Sequence, residues 1–187
     1  GVSGLEVNIS CPNVHKGGME FGTDPDIAAQ ITSAVKAATK LPVIVKLTPS
    51  APDIVAVAQA VANAGADAVS LINTIVGMAI DIKTWRPKLY TNYGGLSGPA
   101  IKPIAIANVH KIYKAINIPV IGIGGISNVE DVLEFMLAGA TMVQIGTMNY
   151  QNPNLGPEIR KELLQYFTEN KIEDATNLVG KVEDHSN

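Results

Sequence analysis

The chain has 187 residues, of which 47% are hydrophobic and 17% charged, and its formal net charge is −3. That balance supplies a packed core and excludes a disordered chain, while 14 scattered Lys and Arg residues leave no basic stripe for nucleic acid. No apolar run reaches the roughly 20 residues that span a bilayer, and the one cysteine, Cys11, has no internal disulfide partner, so the sequence reads as a protein of the reducing cytoplasm.

The opening residues, GVSGLEVNIS, carry neither a charged leader nor an initiator Met, and read as the interior of a longer protein. Leu5–Ile9 has the character of a strand. Asp24 and Pro25 then signal a helix, and Ile27, Ile31, Ala34, Val35 and Ala38 recur at helical spacing through residue 39. PVIVKL (42–47) is a near-continuous apolar run of the kind buried on both faces of a parallel sheet. A second helix follows Asp53 and stops at Gly65, and AVSLIN (68–73) is the third strand. Residues 75–98 break the rhythm, because 24 residues are too many for a βα turn of about two to six. The alternation then resumes: a helix from Pro99 to about Ala115, a strand at 119–123, a helix at 128–138, a strand at 142–146 and a helix at about 157–167. Residues 168–187 read as a solvated tail.

Five successive βα units imply a parallel sheet with right-handed crossovers, either doubly wound or closed. Glycine turns after the last two strands favour the closed form, because phosphate sites in (β/α)₈ barrels gather after strands seven and eight. The expected fold is therefore an α/β, (β/α)₈ TIM barrel, with residues 1–187 forming the C-terminal part of a single domain and supplying about its last five βα units. Three further units would have to come from elsewhere.

Four groups of residues could carry chemistry. Asn8, Cys11 and Asn13 lie on a strand end and the following loop, where barrels place catalytic residues. A lone cysteine is more often an inert small hydrophobe, but Cys11 stands in a polar loop between Ser10 and Pro12. Lys46 interrupts an apolar strand, so its ammonium either escapes to solvent or meets an anion in a cavity. Asn73 and Thr74 end the third strand on the same face. Gly98, Gly124, Gly125, Gly146 and Thr147 follow three consecutive elements, and glycine turns of this kind let backbone N–H groups approach a phosphate. The three histidines have no metal-ligand spacing, and no metal site is expected.

GLEVNISCPNV, GGMEFGTDP, VIVKLTP, INTIVGMAIDI, GGLSGPAIKPIA, VIGIGGI and QIGT, in that order, resemble the successive motifs of dihydroorotate dehydrogenases across residues 1–167. The segment with GMAID and GGLSGPAIKP is most similar to the class 1B branch. The resemblance implies FMN in a barrel that oxidises dihydroorotate to orotate in pyrimidine synthesis. It implies a homodimer of barrels with an electron-transfer subunit that carries FAD and a 2Fe–2S cluster and reduces NAD. By matching positions, Cys11 is the base; Asn8, Asn13, Asn73 and Thr74 touch substrate; and Asn8, Lys46, Ile72, Gly98, Gly124, Gly125, Gly146 and Thr147 touch FMN. The N-terminal remainder of the barrel would supply further contacts. Two other readings share some of these residues. A dihydropyrimidine dehydrogenase-type FMN barrel has a similar cysteine loop and glycine turns. A non-redox isomerase or aldolase could use Lys46 and the phosphate turns, but leaves the Asn8–Asn13 loop without a task.

Overall fold

A computed structural model describes residues 1–10 and 18–185 of the chain. Five parallel strands form one sheet: β1 (Leu5–Asn8), β2 (Val43–Lys46), β3 (Ala68–Leu71), β8 (Val120–Ile123) and β9 (Met142–Gln144), hydrogen-bonded in that order. A short helix α1 (Gly18–Thr23) and then α2 (Pro25–Ala38) connect β1 to β2, and α3 (Ile54–Asn63) connects β2 to β3. Helix α4 (Lys102–Tyr113), α5 (Val129–Ala138) and α6 (Leu155–Glu169) complete the alternation. The predicted strands and helices are all present, with ends shifted by a few residues. The third strand closes at Leu71, so Ile72 and Asn73 stand just beyond its end.

Local chemistry starts the helices where the sequence marks them. Asp24 accepts from the backbone N–H groups of Asp26 and Ile27, and Asp53 accepts from those of Val55 and Ala56. Each side chain thereby satisfies two of the four N–H groups that a helix start leaves without partners. Asn128 does the same for Asp131 N–H at the start of α5.

The two faces of the sheet differ. Val43, Val45, Val69 and Val120 are buried with Val57, Val61, Val109 and Phe135 of the helices, and this layer is the hydrophobic core. Each fully buried aliphatic side chain there contributes about 1.5–3 kcal/mol. The opposite, concave face carries Glu6, Lys46, Ser70 and Gln144, and Glu6 Oε1 accepts from Ser70 Oγ at 2.7 Å and from Gln144 Nε2 at 2.9 Å. The outermost strands, β1 and β9, thus meet through side chains across the concave side.

The long segment 75–98 folds as two small antiparallel ribbons. β4 (Ile75–Gly77) pairs with β7 (Gly94–Leu96), and β5 (Ile80–Asp81) pairs with β6 (Arg86–Pro87). Their outer side chains, among them Ile82, Trp85 and Tyr90, are exposed.

The tail corrects the expectation of a solvated strand of chain. Ala175–Leu178 forms a 3₁₀ turn whose Ala175 and Leu178 pack on the core, Gly180 N–H donates to Met136 O at 3.0 Å, and Val182 N–H donates to Leu137 O at 3.1 Å. Those carbonyls belong to the last turn of α5, where Met136 O also accepts from Gly139 N–H at 2.9 Å, so the tail adds donors where helical ones run out.

Candidate active site

Because the sheet is parallel, every strand delivers its last residue to one rim, and the site grows from those ends. A cleft of about 150 Å³ lies there, lined by Lys46, Ile72, Asn73, Thr74, Ser97, Gly98, Ile101, Ile123, Gly124, Gly125, Ile126, Gly146, Thr147 and Met148. Lys46, Ile72, Asn73, Thr74 and all five glycine-turn residues named from the sequence therefore surround one space. A wider, open hollow lined by Asp81, Thr84, Arg86, Pro87 and Lys88 sits on the outer ribbon and holds none of them.

Asn8 does not line the cleft, but two successive hydrogen bonds through Ser10 join it to Asn73, which does. Its Oδ1 accepts from Ser10 Oγ at 2.9 Å and Ser10 N–H at 3.1 Å. Asn73 Nδ2 in turn donates to Ser10 O at 2.5 Å and to Ser10 Oγ at 3.1 Å, and Asn73 Oδ1 accepts from Thr74 N–H at 2.8 Å. Ser10 is 1% exposed and joins the ends of β1 and β3. Both Asn73 donors are consumed inside the protein, which leaves one Oδ1 lone pair for a ligand. Sequence reading passed over Ser10, whose place between Asn8 and Cys11 was the only signal available. Cys11 and Asn13 lie outside the described residues.

The glycine turns are suited to an anion. Gly98, Gly124 and Gly125 have φ values of 89°, 133° and 78°, a region that favours glycine. Among the described residues, the backbone N–H groups of Gly124, Gly125 and Ile126 have no hydrogen-bond acceptor. A Cβ built on Gly146 would meet nothing within 4 Å, so the space above that turn is open. Thr147 Oγ1 donates to Ser97 Oγ at 2.7 Å and ties the last turn to the one before Gly98. Lys46 is in ion-pair contact with no carboxylate among the described residues. Unpaired N–H groups and an unpaired ammonium on one cleft are what an anionic ligand would satisfy.

The sequence profile of the dihydroorotate dehydrogenase family matches residues 2–167. The chain belongs to that family. Curated relatives named dihydroorotate dehydrogenase B (NAD(+)), catalytic subunit, agree: the one from Citrifermentans bemidjiense is 54% identical over 183 residues, covering 98% of this chain and 60% of its own length. That from Desulforamulus reducens is 54% identical over 180 residues, covering 96% of this chain and 59% of its own. That from Bacillus pumilus is 56% identical over 162 residues, covering 87% and 52%. The chain thus spans about 60% of the length of the first two relatives. A crystal structure of a dihydroorotate dehydrogenase from Eimeria tenella, in complex with ferulenol, superposes with a TM-score of 0.79 at 23% identity, over 96% of this chain and 54% of that one. The fold is accordingly part of a dihydroorotate dehydrogenase-like α/β barrel, and the family is flavin-dependent. No helix among the described residues is long and apolar enough to cross a membrane.

Proposed function

We propose that residues 1–187 are the C-terminal part of an FMN-dependent barrel that oxidises (S)-dihydroorotate to orotate in cytoplasmic pyrimidine synthesis. The observation that carries this reading is the gathering of Lys46, Asn73, Thr74 and three glycine turns around one cleft at the strand ends. FMN fits the donors present. Its phosphate would accept from the free N–H groups of Gly124, Gly125 and Ile126, with Gly98, Gly146 and Thr147 closing the turn, and Ile72 would border the ring. Bound there, FMN would supply the acceptor for the hydride leaving substrate C6.

The chain's own groups divide the remaining work. Lys46, which lines the cleft, would supply a positive charge to a flavin that gains electron density there, a preorganised electrostatic stabilisation. Asn73 offers its remaining lone pair to a ring N–H, and Thr74, Asn8 and Asn13 complete the polar frame that orients the substrate. Cys11 takes the proton from C5. A free thiol has a pKa near 8.5, so oxidation should accelerate with pH through that region unless the loop acidifies the thiol. Two associations complete the reading: the N-terminal remainder of the barrel, and a homodimer joined to an electron-transfer subunit with FAD and a 2Fe–2S cluster that passes electrons to NAD. The words "catalytic subunit" and "NAD(+)" in the relatives' names support the second.

The complete barrel, mixed anaerobically with dihydroorotate, should lose its flavin absorbance, and dihydrouracil should leave it unchanged. Cys11→Ser should slow that bleaching by about a hundredfold at neutral pH while flavin remains bound. A colourless complete barrel, or bleaching of Cys11→Ser at the wild-type rate, would sink the respective assignment.

A further inference from the structure

Behind the glycine turns lies a polar network that the reaction above does not employ. Asp131 stands in the first turn of α5, with its side chain 5% exposed. Its Oδ2 accepts from Ser127 N–H and from Ser127 Oγ, both at 2.7 Å, and its Oδ1 accepts from Lys102 Nζ at 2.5 Å. Lys102 opens α4 and also donates to Glu134 Oε1 at 2.7 Å. Each of the two helices so joined follows a glycine turn of the cleft, Gly98 before α4 and Gly124–Gly125 before α5.

The two turns also touch directly. A Cβ on Gly125 would stand 2.8 Å from Gly98 O and 2.8 Å from Lys102 Cβ. No slack exists between them, so a shift of Lys102 or Ser127 must move the peptide groups of the turns. A buried carboxylate is costly unless paired and hydrogen-bonded, and the Asp131 carboxylate makes its three hydrogen bonds to these two anchors. By engaging Ser127 N–H, it also separates that donor from the three N–H groups left free at Gly124, Gly125 and Ile126.

We propose that Asp131, acting through Ser127 and Lys102, is a positioning residue that shapes the glycine turns for a phosphoryl group, and so governs affinity for the phosphate of the flavin nucleotide rather than for its ring. This rests on the flavin reading. A capping residue with only a structural role would weaken both parts of the ligand alike.

The test uses the complete barrel stripped of flavin and titrated with FMN and with riboflavin, which lacks the phosphate, by quenching of flavin fluorescence. Asp131→Asn should raise the FMN Kd by about tenfold or more and leave that of riboflavin within about twofold, the scale of one lost charge-assisted hydrogen bond. Inorganic phosphate gives the same comparison without a ring: it should compete with FMN in the wild type and fail to compete in the variant. Ser127→Ala and Lys102→Gln should show the same selectivity to a smaller degree, and they carry the test if Asp131→Asn does not fold. Equal weakening of FMN and riboflavin, or an unchanged FMN Kd, would overturn the proposal while leaving the flavin reading in place. A wild-type barrel that binds neither flavin would overturn both.

Discussion

Asn73→Ala separates the structural and the chemical duties of one side chain. The substitution deletes three hydrogen bonds, to Ser10 O, Ser10 Oγ and Thr74 N–H. Ser10 is 1% exposed, so water does not readily replace the lost donors. A net hydrogen bond is worth about 0.5–1.5 kcal/mol, and a buried acceptor left bare costs about 1–3 kcal/mol. Ser10 Oγ keeps Asn8 as a partner and Thr74 is only half-buried, so the loss should total about 2–3 kcal/mol. For a complete barrel of about 300 residues that lowers Tm by about 3–5 °C. Calorimetry of the complete barrel measures it, and steady-state oxidation of dihydroorotate measures the second duty, where kcat/KM should fall by about a hundredfold or more. A variant with wild-type Tm would refute the reasoning, because it would show that the Ser10 bridge does not hold the ends of β1 and β3 together. A normal Tm with lost turnover would leave Asn73 as a ligand contact alone.

Gly122 of β8 leaves room for the fully buried ring of Phe135, and an added Cβ would overlap that ring. Gly122→Ala should therefore destabilise by about 1–3 kcal/mol in urea unfolding, and Phe135→Leu in the same chain should remove most of that penalty. Equal penalties in both backgrounds would mean that the overlap is not the cause. Acid should also reveal the Asp131 network. Burial pushes the Asp131 carboxyl upward, but the Lys102 ammonium and the Ser127 hydroxyl and N–H outweigh it and hold the carboxyl below the usual aspartate range. A lowered folded pKa gives stability that is present above the unfolded value and lost as pH falls through the folded one. The Tm advantage of wild type over Asp131→Asn should thus be constant from neutrality to about pH 4 and shrink below it. Lys102, raised chiefly by its bond to Asp131 and next by Glu134, adds stability that disappears only above the ordinary lysine range. An advantage unchanged down to about pH 2.5 would exclude the ion pair as its source.

The βα alternation was legible because the strands carry apolar side chains on both faces, Val43, Val45 and Val120 toward the helices and Ile44 and Ile121 on the concave side, which writes an apolar run into residues such as 43–47 and 119–123. The rim was legible for the same reason, since residues just past the strand ends are fixed once the strands are. The rest left weaker traces. Strands of two or three residues, as in 75–96, are too short for a period to show. Asp131 was readable only as the third residue after Asn128 in a helix-starting pattern, and nothing in that pattern says that its carboxylate turns back to Ser127 and Lys102. The tail was misread because only Ala175 and Leu178 of it pack on the core, and the rest of its attachment runs through backbone N–H groups on Met136 O and Leu137 O and through Asp184 beside Lys114, which composition does not record.

Sequence alternation left open whether the sheet is doubly wound or curled, and one bridge decides it. Strands lie about 4.8 Å apart, so in a flat five-stranded sheet β1 and β9 would stand about 19 Å from each other. A glutamate and a glutamine cannot reach across that gap, yet Glu6 Oε1 and Gln144 Nε2 are 2.9 Å apart. The sheet is therefore strongly curved, and Ser70, on the strand midway between them, reaches the same oxygen. Side chains from alternate strands meeting in one layer are how barrels fill their bore. A doubly wound sheet would instead carry apolar side chains throughout this face, where Glu6, Lys46, Ser70 and Gln144 interrupt Ile44, Ala68 and Ile121. Those polar interruptions, which look like faults in a buried sheet, end at the rim, where Lys46 lines the cleft and meets no carboxylate among the described residues.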